Sequence, residues 1–266
     1  MYDEMGLPRY LDMQAELGYT KHLGGAEATR RLMELCGVSA DQTVLNVGSG
    51  AGNSSVYIAR NYGCRVMGVD LKENMVTSAR RLARRRGMTD QLEFRQADAQ
   101  DLPFENDSFD ILICESVNTF VPNKPQAVSE YVRVVRPGGV VGLDEPVWVQ
   151  APSAEVQALI QKAVGHEIRS PSFWEDLLRE GGLTQITGET HPIGLRTESR
   201  NQMSFLSAGD LLRILGKMVT VFLGRDPYYR TIMRDSLGTT PAEVTEYMGY
   251  GLFVGQVGQG NGPVHK

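Results

Sequence analysis

The fold is decided by residues 44–52, which read Val44-Leu45-Asn46-Val47-Gly48-Ser49-Gly50-Ala51-Gly52. The first four are typical of a short buried strand, and the residues after the glycines, 53–62, have the pattern of a helix. Glycine allows a tight turn and lets a ligand approach the backbone closely. The N-terminus of a helix adds free N–H groups that suit a carboxylate or a phosphate. This stretch therefore predicts an anion-binding turn between a strand and a helix, and a purely structural turn is the alternative.

Strands and helices alternate along the chain downstream of this turn. Residues 64–70, 92–98 and 109–116 are predicted strands, and a helix over Asn74–Arg86 separates the first two. A further helix leads into another strand over residues 140–146. Alternation of this kind implies right-handed crossovers and a parallel sheet with helices on both faces, which is a doubly wound α/β fold.

The composition of the 266 residues excludes several classes of protein. There are 27 basic and 32 acidic residues, so the net charge is −5, and 41% of the residues are hydrophobic. This balance is ordinary for a globular protein and gives no reason to expect nucleic acid or a membrane as partner. The three cysteines lie far apart without a CxxC pair, so we expect neither disulfides nor a metal. Since residues 1–14 also lack the apolar region of a signal peptide, a cytoplasmic location is expected.

Asp70 ends the strand that follows the glycine turn, 20 residues beyond Gly50. A carboxylate at this point can accept hydrogen bonds from both hydroxyls of a ribose. Two kinds of nucleoside cofactor fit that pattern. The dinucleotide fingerprint requires a third glycine three residues after the second. Asn53 stands at that position instead, which counts against a dinucleotide cofactor but leaves it as an alternative.

Residues 44–146 resemble a class I S-adenosylmethionine-dependent methyltransferase of the small-molecule, methyltransferase-11-like type. Besides the glycine turn and Asp70, the resemblance rests on residues 96–99 (Gln-Ala-Asp-Ala), 102–104 (Leu-Pro-Phe), 108–116 and 130–139 (Glu-Tyr-Val-Arg-Val-Val-Arg-Pro-Gly-Gly). It implies a Rossmann-like, seven-stranded, mostly parallel sheet with an antiparallel last strand, plus a helical lid insertion and an N-terminal helical cap. It also implies S-adenosylmethionine as cofactor and S-adenosylhomocysteine as product.

The resemblance carries a set of cofactor-binding positions onto this chain. In it, the glycine turn lies near the methionine carboxylate, Asp70 holds the ribose, and Asp98 accepts a hydrogen bond from the adenine amino group. The full set is Tyr19, Leu23, Gly24, Gly48, Ser49, Gly50, Asn53, Asp70, Leu71, Asp98, Ala99, Cys114 and Glu115.

Residues 19–29 are similar to the Gly-Gly-x-x-x-Thr segment of small-molecule methyltransferases, including the phosphoethanolamine N-methyltransferases. The similarity makes Tyr19 a latch over the cofactor. The catalytic histidine of those enzymes follows the fourth strand, whereas residues 116–125 contain none. The similarity therefore does not extend to a phosphobase substrate.

Acidic residues mark the strand ends where a doubly wound sheet binds its ligands. Glu115 ends the fourth strand, and Asp144 and Glu145 end the fifth, which suits a cationic or amine substrate. The catalytic residue is not assigned, and the candidates are Glu115, Tyr19 and His22. Weaker candidates for substrate contact are Asp144 and Glu145, for which anchoring of a loop is the alternative. The aromatic residues Trp148, Tyr228 and Tyr229 could line an aromatic cage around the substrate, and core packing is their alternative. His166 and His191 are interpreted as surface or loop histidines.

The expected reaction is transfer of a methyl group to N or O of a small molecule by in-line displacement, with C and S left open. A nicotinamide (NAD)-dependent oxidoreductase and a non-catalytic regulatory protein that binds S-adenosylmethionine are the alternatives. The predicted parts are an N-terminal cap (1–40), a core (41–194 and 250–258), a helical lid (195–249) and a flexible tail (259–266). The apolar stripe of Ala208–Leu223 in the lid predicts either a substrate cover or a homodimer contact.

Overall fold

A seven-stranded sheet in the order β3-β2-β1-β4-β5-β7-β6 is the centre of the computed structural model. The structure describes residues 6–164, 166–223 and 242–259. The strands are β1 Thr43–Val47, β2 Arg65–Asp70, β3 Leu92–Gln96, β4 Phe109–Glu115, β5 Val135–Trp148, β6 Leu183–Pro192 and β7 Met248–Val257. Within these ranges the helices are α1 Gly6–Leu17, α2 Gly25–Cys36, α3 Asn53–Tyr62, α4 Glu73–Arg86, α5 Lys124–Val134, α6 Ala154–Val164, α7 Pro171–Glu180, α8 Leu195–Met203, α9 Ala208–Leu223 and α10 Ala242–Tyr247.

The strand directions confirm the predicted sheet. β1 pairs in parallel with β2 and β4, β2 with β3, and β4 with β5. β7 lies antiparallel between β5 and β6. The chain order reverses between β1 and β4, and open α/β sheets bind their ligands at the carboxyl ends of strands beside such a reversal. The topology therefore places a ligand site at the end of β1, next to β4.

The two faces of the sheet are covered by different helices. One face buries Tyr131 of α5, Trp174 of α7 and Phe253 of β7 in one apolar cluster. The other face buries Leu32 of α2 and Phe94 of β3 in a second cluster. Full burial of side chains of this size contributes about 1.5–3 kcal/mol each, so both layers hold the sheet rigid beneath the ligand site.

The predicted N-terminal cap over residues 1–40 contains the two helices α1 and α2, and residues 18–24 connect them. Gly18 and Gly24 bound this connection, each with φ of 73°, a backbone conformation that favours glycine. Residues 19–23 of this connection lie at the carboxyl ends of the strands, where they line a cavity.

The inserted region is described only in part. α8 packs against α2, and α9 packs against α1. Leu212, Leu215 and Val219 on α9 are more than half exposed. The assignment of residues 195–249 as a lid, and of α9 as a dimer contact, stays a prediction, and residues 260–266 of the predicted tail lie outside the described part. Among the described helices, none has the length and apolar character needed to span a membrane.

Candidate active site

A cavity of about 1090 Å³ opens at the carboxyl ends of β1, β2, β4 and β5. It runs from the end of β2 across the glycine turn to the loop after β4. Its walls include residues 19–23, 46–50, 70–72, 97–100, 115–117 and 119–122, together with Glu198, Gln202 and Met203 of α8. The fold thus brings most of the predicted cofactor positions to one cavity.

The glycine turn and Asp70 form one hydrogen-bonded unit. The backbone N–H of Gly50 donates to Asp70 Oδ2 at 2.9 Å, and the N–H of Lys72 donates to Oδ1 at 2.9 Å. Gly50 has φ of 53°, and a Cβ there would lie 2.5 Å from Thr20 Oγ1, so only glycine fits. Burial raises the pKa of Asp70. Each carboxylate oxygen has a second lone pair for a ligand, so the unit can still accept hydrogen bonds from a diol.

The predicted adenine positions lie at the same end of the cavity. Asp98 follows β3, and its Oδ1 accepts from the backbone N–H of Gln100 at 2.8 Å. Leu71, Asp98 and Ala99 all line the cavity wall. The Leu71 side chain is 64% exposed, although residues of this type are usually buried. An exposed apolar side chain beside a carboxylate offers a surface for a flat ring with a polar edge.

Four buried side chains form a hydrogen-bond chain at the ends of β4 and β5. His22 Nδ1 lies 3.1 Å from Asp144 Oδ2, and His22 Nε2 lies 3.3 Å from Thr29 Oγ1. The Thr29 hydroxyl donates to Glu115 Oε1 at 2.6 Å. The hydroxyl proton of Thr29 is used in the bond to Glu115, so the Thr29 oxygen must accept from Nε2–H of His22. The other ring nitrogen then donates its Nδ1–H to Asp144. The chain is therefore complete when His22 carries both ring protons.

The charges around His22 favour the same state. Burial lowers the pKa of a histidine, but here Glu115, Asp144 and Glu198 outweigh burial and raise the pKa of His22 to about 9. Burial raises the pKa of Asp144, and the neighbouring His22 opposes that rise. His22 is thus an imidazolium near neutral pH, and it cannot serve as a base in that state.

The same cluster is the group among the described residues that can hold a metal ion. Ligand atoms of His22, Glu115 and Asp144 lie within 4.8 Å of one another. A metal ligand must be a deprotonated ring nitrogen, however, and both ring nitrogens of His22 face hydrogen-bond partners on different residues. The arrangement therefore favours a proton on each ring nitrogen over a bound metal ion.

Glu145 supports a loop and does not face the cavity. Its buried carboxylate accepts from the backbone N–H groups of Val117, Asn118 and Thr119 at 3.3, 2.8 and 3.2 Å, and from the Asn118 side chain at 3.0 Å. Burial raises the pKa of Glu145 to about 8. The expectation of substrate contact is therefore corrected, since this residue holds the loop that carries part of the cavity wall.

Replacing Glu145 with glutamine is expected to destabilise the protein by about 1–3 kcal/mol. If the glutamine oxygen keeps the contacts with Asn118, the glutamine NH₂ group must face the backbone N–H of Thr119. Two hydrogen-bond donors then point at each other. Urea unfolding above pH 8, where the Glu145 carboxylate is ionised, measures the change. Glu180→Gln is the matched control because Glu180 is exposed at the end of α7. Equal stability of the two variants would contradict the anchoring role.

Several other predicted residues lie away from the cavity surface. Cys114 is fully buried in an apolar cluster, where the hydroxyl of Tyr131 is 3.6 Å from its Sγ. Asn53 is buried at the start of α3. Trp148 packs in a small cluster with Ile160 and is not part of the cavity wall. The other two aromatic candidates for substrate contact, Tyr228 and Tyr229, lie outside the described residues.

Gly24 contributes to the site through its backbone. Its N–H donates to Glu198 Oε2 at 3.1 Å, and a Cβ at this position would lie 2.7 Å from the Tyr250 ring. Asp144 likewise reaches the cavity only through its partner His22. Both positions shape the cavity from behind its wall.

Helix α8 supplies functional residues that the sequence did not indicate. Glu198 and Gln202 line the cavity, and the Tyr19 hydroxyl donates to the backbone oxygen of Gln202 at 2.7 Å. Gln202 Nε2 donates to the backbone oxygen of His22 and, at 2.7 Å, to Glu198 Oε1. Thr29 was also missed, although it is the threonine of the Gly-Gly-x-x-x-Thr pattern. These contacts close the connection between α1 and α2 over the cavity.

Comparison with known proteins agrees with the sequence pattern. Residues 45–143 match the family described as Methyltransferase domain. An uncharacterized protein of Haemophilus influenzae is 31% identical over 177 residues, which cover 65% of this chain and 70% of that protein. Methyltransferase GfsG of Streptomyces halstedii is 30% identical over 64% of each chain. Phosphoethanolamine N-methyltransferase 1 of Arabidopsis thaliana is 28% identical over 71% of this chain, and the match spans 38% of its length. The match thus spans less than two thirds of both named relatives.

Solved structures share the fold. The [4+2]-cyclase SpnF superposes with a TM-score of 0.72 at 19% identity and covers 96% of both chains. A putative sarcosine dimethylglycine methyltransferase from Galdieria sulphuraria superposes with a TM-score of 0.69 at 15% identity, covering 88% of this chain and 85% of its own. At these identities the likeness establishes the fold, and the chemistry must come from the site.

Proposed function

Since the chain belongs to the class I S-adenosylmethionine-dependent methyltransferases, we propose that it methylates a nitrogen or oxygen atom of a small molecule. The continuous cavity is the observation that supports this most. It joins Asp70 and Asp98 at one end to Glu115 and His22 at the other. A donor and an acceptor fit side by side in such a space, which is what an in-line displacement requires.

The donor end suits the cofactor of this family. S-adenosylmethionine supplies a methyl group on a sulfonium, and its sulfur leaves as a neutral thioether. In the proposal the Asp70 carboxylate holds the ribose diol, Asp98 meets the adenine amino group, and the glycine turn accommodates the methionine part. α8 and the connection between α1 and α2 cover this space and exclude water from it.

The charges at the acceptor end favour an amine. Glu115 and Glu198 line the cavity there, and Asp144 lies behind His22. Their carboxylates outnumber the single cationic ring in this cluster, so a cationic or amine substrate is attracted more than an anion. The relative from Arabidopsis thaliana is itself named for N-methylation of phosphoethanolamine, which is consistent with an amine acceptor.

Two measurements test this function. Isothermal titration is expected to show binding of S-adenosylmethionine, and no binding at millimolar ligand would contradict the donor assignment. The protein and the cofactor are then incubated with pairs of acceptors that differ only in an amine or a hydroxyl group, such as benzylamine and benzyl alcohol. Sarcosine and phosphoethanolamine are tested as further amines. The amine of each pair is expected to yield at least about 10-fold more S-adenosylhomocysteine because the acidic wall attracts it. A preference for the alcohols would assign the acceptor to oxygen.

A second reading is that the chain binds the cofactor without methyl transfer. The superposition with the [4+2]-cyclase SpnF covers 96% of this chain. The same fold therefore also occurs in a protein that is named for a cyclisation and not for methyl transfer. Cofactor binding without formation of S-adenosylhomocysteine on any acceptor would favour this reading. The match to a methyltransferase domain removes the NAD-dependent alternative.

A further inference from the structure

His166 lies on the wall of the same cavity. Its Nδ1 is 3.1 Å from Thr119 Oγ1, and its ring packs edge-on against Phe120 with the centroids 4.8 Å apart. Both partners belong to the loop after β4. The following residues run beside the end of β5, where Val147 and Arg169 form a β-bridge. The imidazole therefore lies beyond β4 and β5, across the sheet from the donor end at β2 and β3.

The hydrogen bonds of Thr119 determine which nitrogen of His166 carries the proton. The Thr119 hydroxyl donates to the backbone oxygen of Glu167 at 3.0 Å. Its oxygen is then left to accept, so His166 Nδ1 is the donor of the second bond. A neutral ring with a proton on Nδ1 has its lone pair on Nε2. No described residue hydrogen-bonds to Nε2, so this lone pair is available to a molecule in the cavity.

We propose that His166 is the general base that accepts the proton of the methyl acceptor at Nε2. The inference rests on the proposed function. As the nitrogen or oxygen of the acceptor attacks, its bond to the methyl carbon forms and the bond from carbon to sulfur breaks. The electron pair goes to the sulfur, which becomes the thioether of S-adenosylhomocysteine. The proton of the acceptor moves to Nε2 and is later released to water.

The surroundings keep the ring ready for this role. Burial lowers the pKa of His166, the positive charge of Lys124 on α5 lowers it further, and the backbone oxygen of Glu167 acts in the opposite direction. Lys124 is itself close to the charges of Arg169, Glu145 and Glu167, and Glu145 lies beneath the loop, where it accepts from the backbone N–H of Thr119. His22 in the same cavity has the opposite environment and a raised pKa. Because the pKa of His166 is lowered and that of His22 is raised, the two histidines have different roles. Only the neutral ring of His166 can accept a proton.

The protonation state can be measured without any acceptor. Nitrogen-15 NMR of the full chain, with the His166 signals assigned by their loss in His166→Asn, is expected to show a neutral ring protonated on Nδ1 near pH 7. Thr119→Ser is expected to keep this tautomer because it keeps the hydroxyl, whereas Thr119→Val is expected to shift the ring toward the Nε2–H form. A cationic ring, or a proton on Nε2 in the unchanged protein, would overturn the proposal.

Kinetics on the amine that the enzyme methylates test the step itself. His166→Asn keeps an N–H group for Thr119 but has no atom in place of Nε2. Its kcat is expected to fall about 100-fold or more, with little change in KM, since positioned bases contribute on this scale. The rise of kcat/KM with pH on the acid side is expected to disappear. His191→Asn is the control, because His191 stacks on Tyr250 outside the cavity wall.

The outcomes separate this inference from the proposed function. A kcat for His166→Asn within about threefold of the unchanged enzyme would overturn the role as base. If the chain binds S-adenosylmethionine but methylates no acceptor, the proposed function fails. In that case the NMR result still decides on His166, because a proton on Nε2 excludes it as a base without reference to any acceptor.

Discussion

Replacing Asp70 with alanine is expected to weaken binding of S-adenosylmethionine by at least about 100-fold, since two hydrogen bonds to a charged group are lost at about 1.5–3 kcal/mol each. In the proposed complex this carboxylate accepts from both ribose hydroxyls. It also accepts from the backbone N–H groups of Gly50 and Lys72, so the glycine turn loses its support in the same variant. Isothermal titration of the variant and the unchanged protein measures the effect.

The two consequences of losing Asp70 can be separated by changing the ligand. The unchanged protein is expected to bind S-adenosylhomocysteine more tightly than its 2′-deoxy analogue, because only the former offers the complete diol. A variant that has lost the ribose contact binds S-adenosylhomocysteine and the 2′-deoxy analogue with equal affinity. A variant in which only the glycine turn is loosened still binds S-adenosylhomocysteine more tightly. Asp70→Asn is the matched control, since an amide oxygen can still accept one backbone N–H. A preserved difference in Asp70→Ala would contradict the ribose assignment.

The sheet and the donor end were predictable because their signals are local. Strand, glycine turn and helix follow one another within residues 44–62, and Asp70 comes at the end of the next strand. A parallel sheet brings successive strand ends to one edge, so a motif at each end predicts a common site. The bounds of the first two helices required the structure, in which glycines with positive φ stand at both ends of the connection over residues 18–24.

Alternation along the strands explains why neighbouring acidic residues have different roles. Successive side chains of a strand point to opposite faces. Cys114 therefore enters the cluster beneath α5, while Glu115 faces the other side, where Thr29 of α2 meets it. In β5, Asp144 faces His22 and Glu145 faces the loop after β4. Position at a strand end was not enough to predict this, because the face had to be known as well.

The contacts at the acceptor end were not predictable, since they join distant parts of the chain. His22 meets Asp144 across 122 positions, and Gly24 meets Glu198 across 174. His166 reaches Thr119 from a separate segment, although its sequence context indicated a surface or loop histidine. None of these pairs has a local pattern in the sequence. They depend on how the connection after α1, helix α8 and the segment after α6 pack over the strand ends.

Replacing His22 with leucine is expected to destabilise the protein by about 3–5 kcal/mol, the usual cost of leaving a buried charge without its partner. Leucine fills a similar space but leaves Asp144 and Glu115 without the cation between them. Adding Asp144→Asn to the leucine variant is expected to restore part of the stability, because it removes the uncompensated carboxylate. Urea unfolding of both single variants and the double variant gives the coupling between the two sites. Additive losses would contradict the charged pair.

The pH dependence of stability tests the same pair with a defined sign. The pKa of His22 is about 9 in the folded protein and 6.5 is the ordinary value, so the folded state holds the proton more tightly. The stabilisation is complete below about pH 6.5 and is lost as the pH rises through about 9, by an amount on the order of 3 kcal/mol. The raised pKa of Asp144 acts in the same direction. The double variant lacks both groups but keeps Glu145, so its unfolding free energy is expected to fall less steeply across this range. Parallel plots of unfolding free energy against pH for the unchanged protein and the double variant would show that His22 is neutral in the folded state. That result would contradict the hydrogen-bond chain through Thr29, which requires a protonated His22 while Asp144 and Glu115 are ionised.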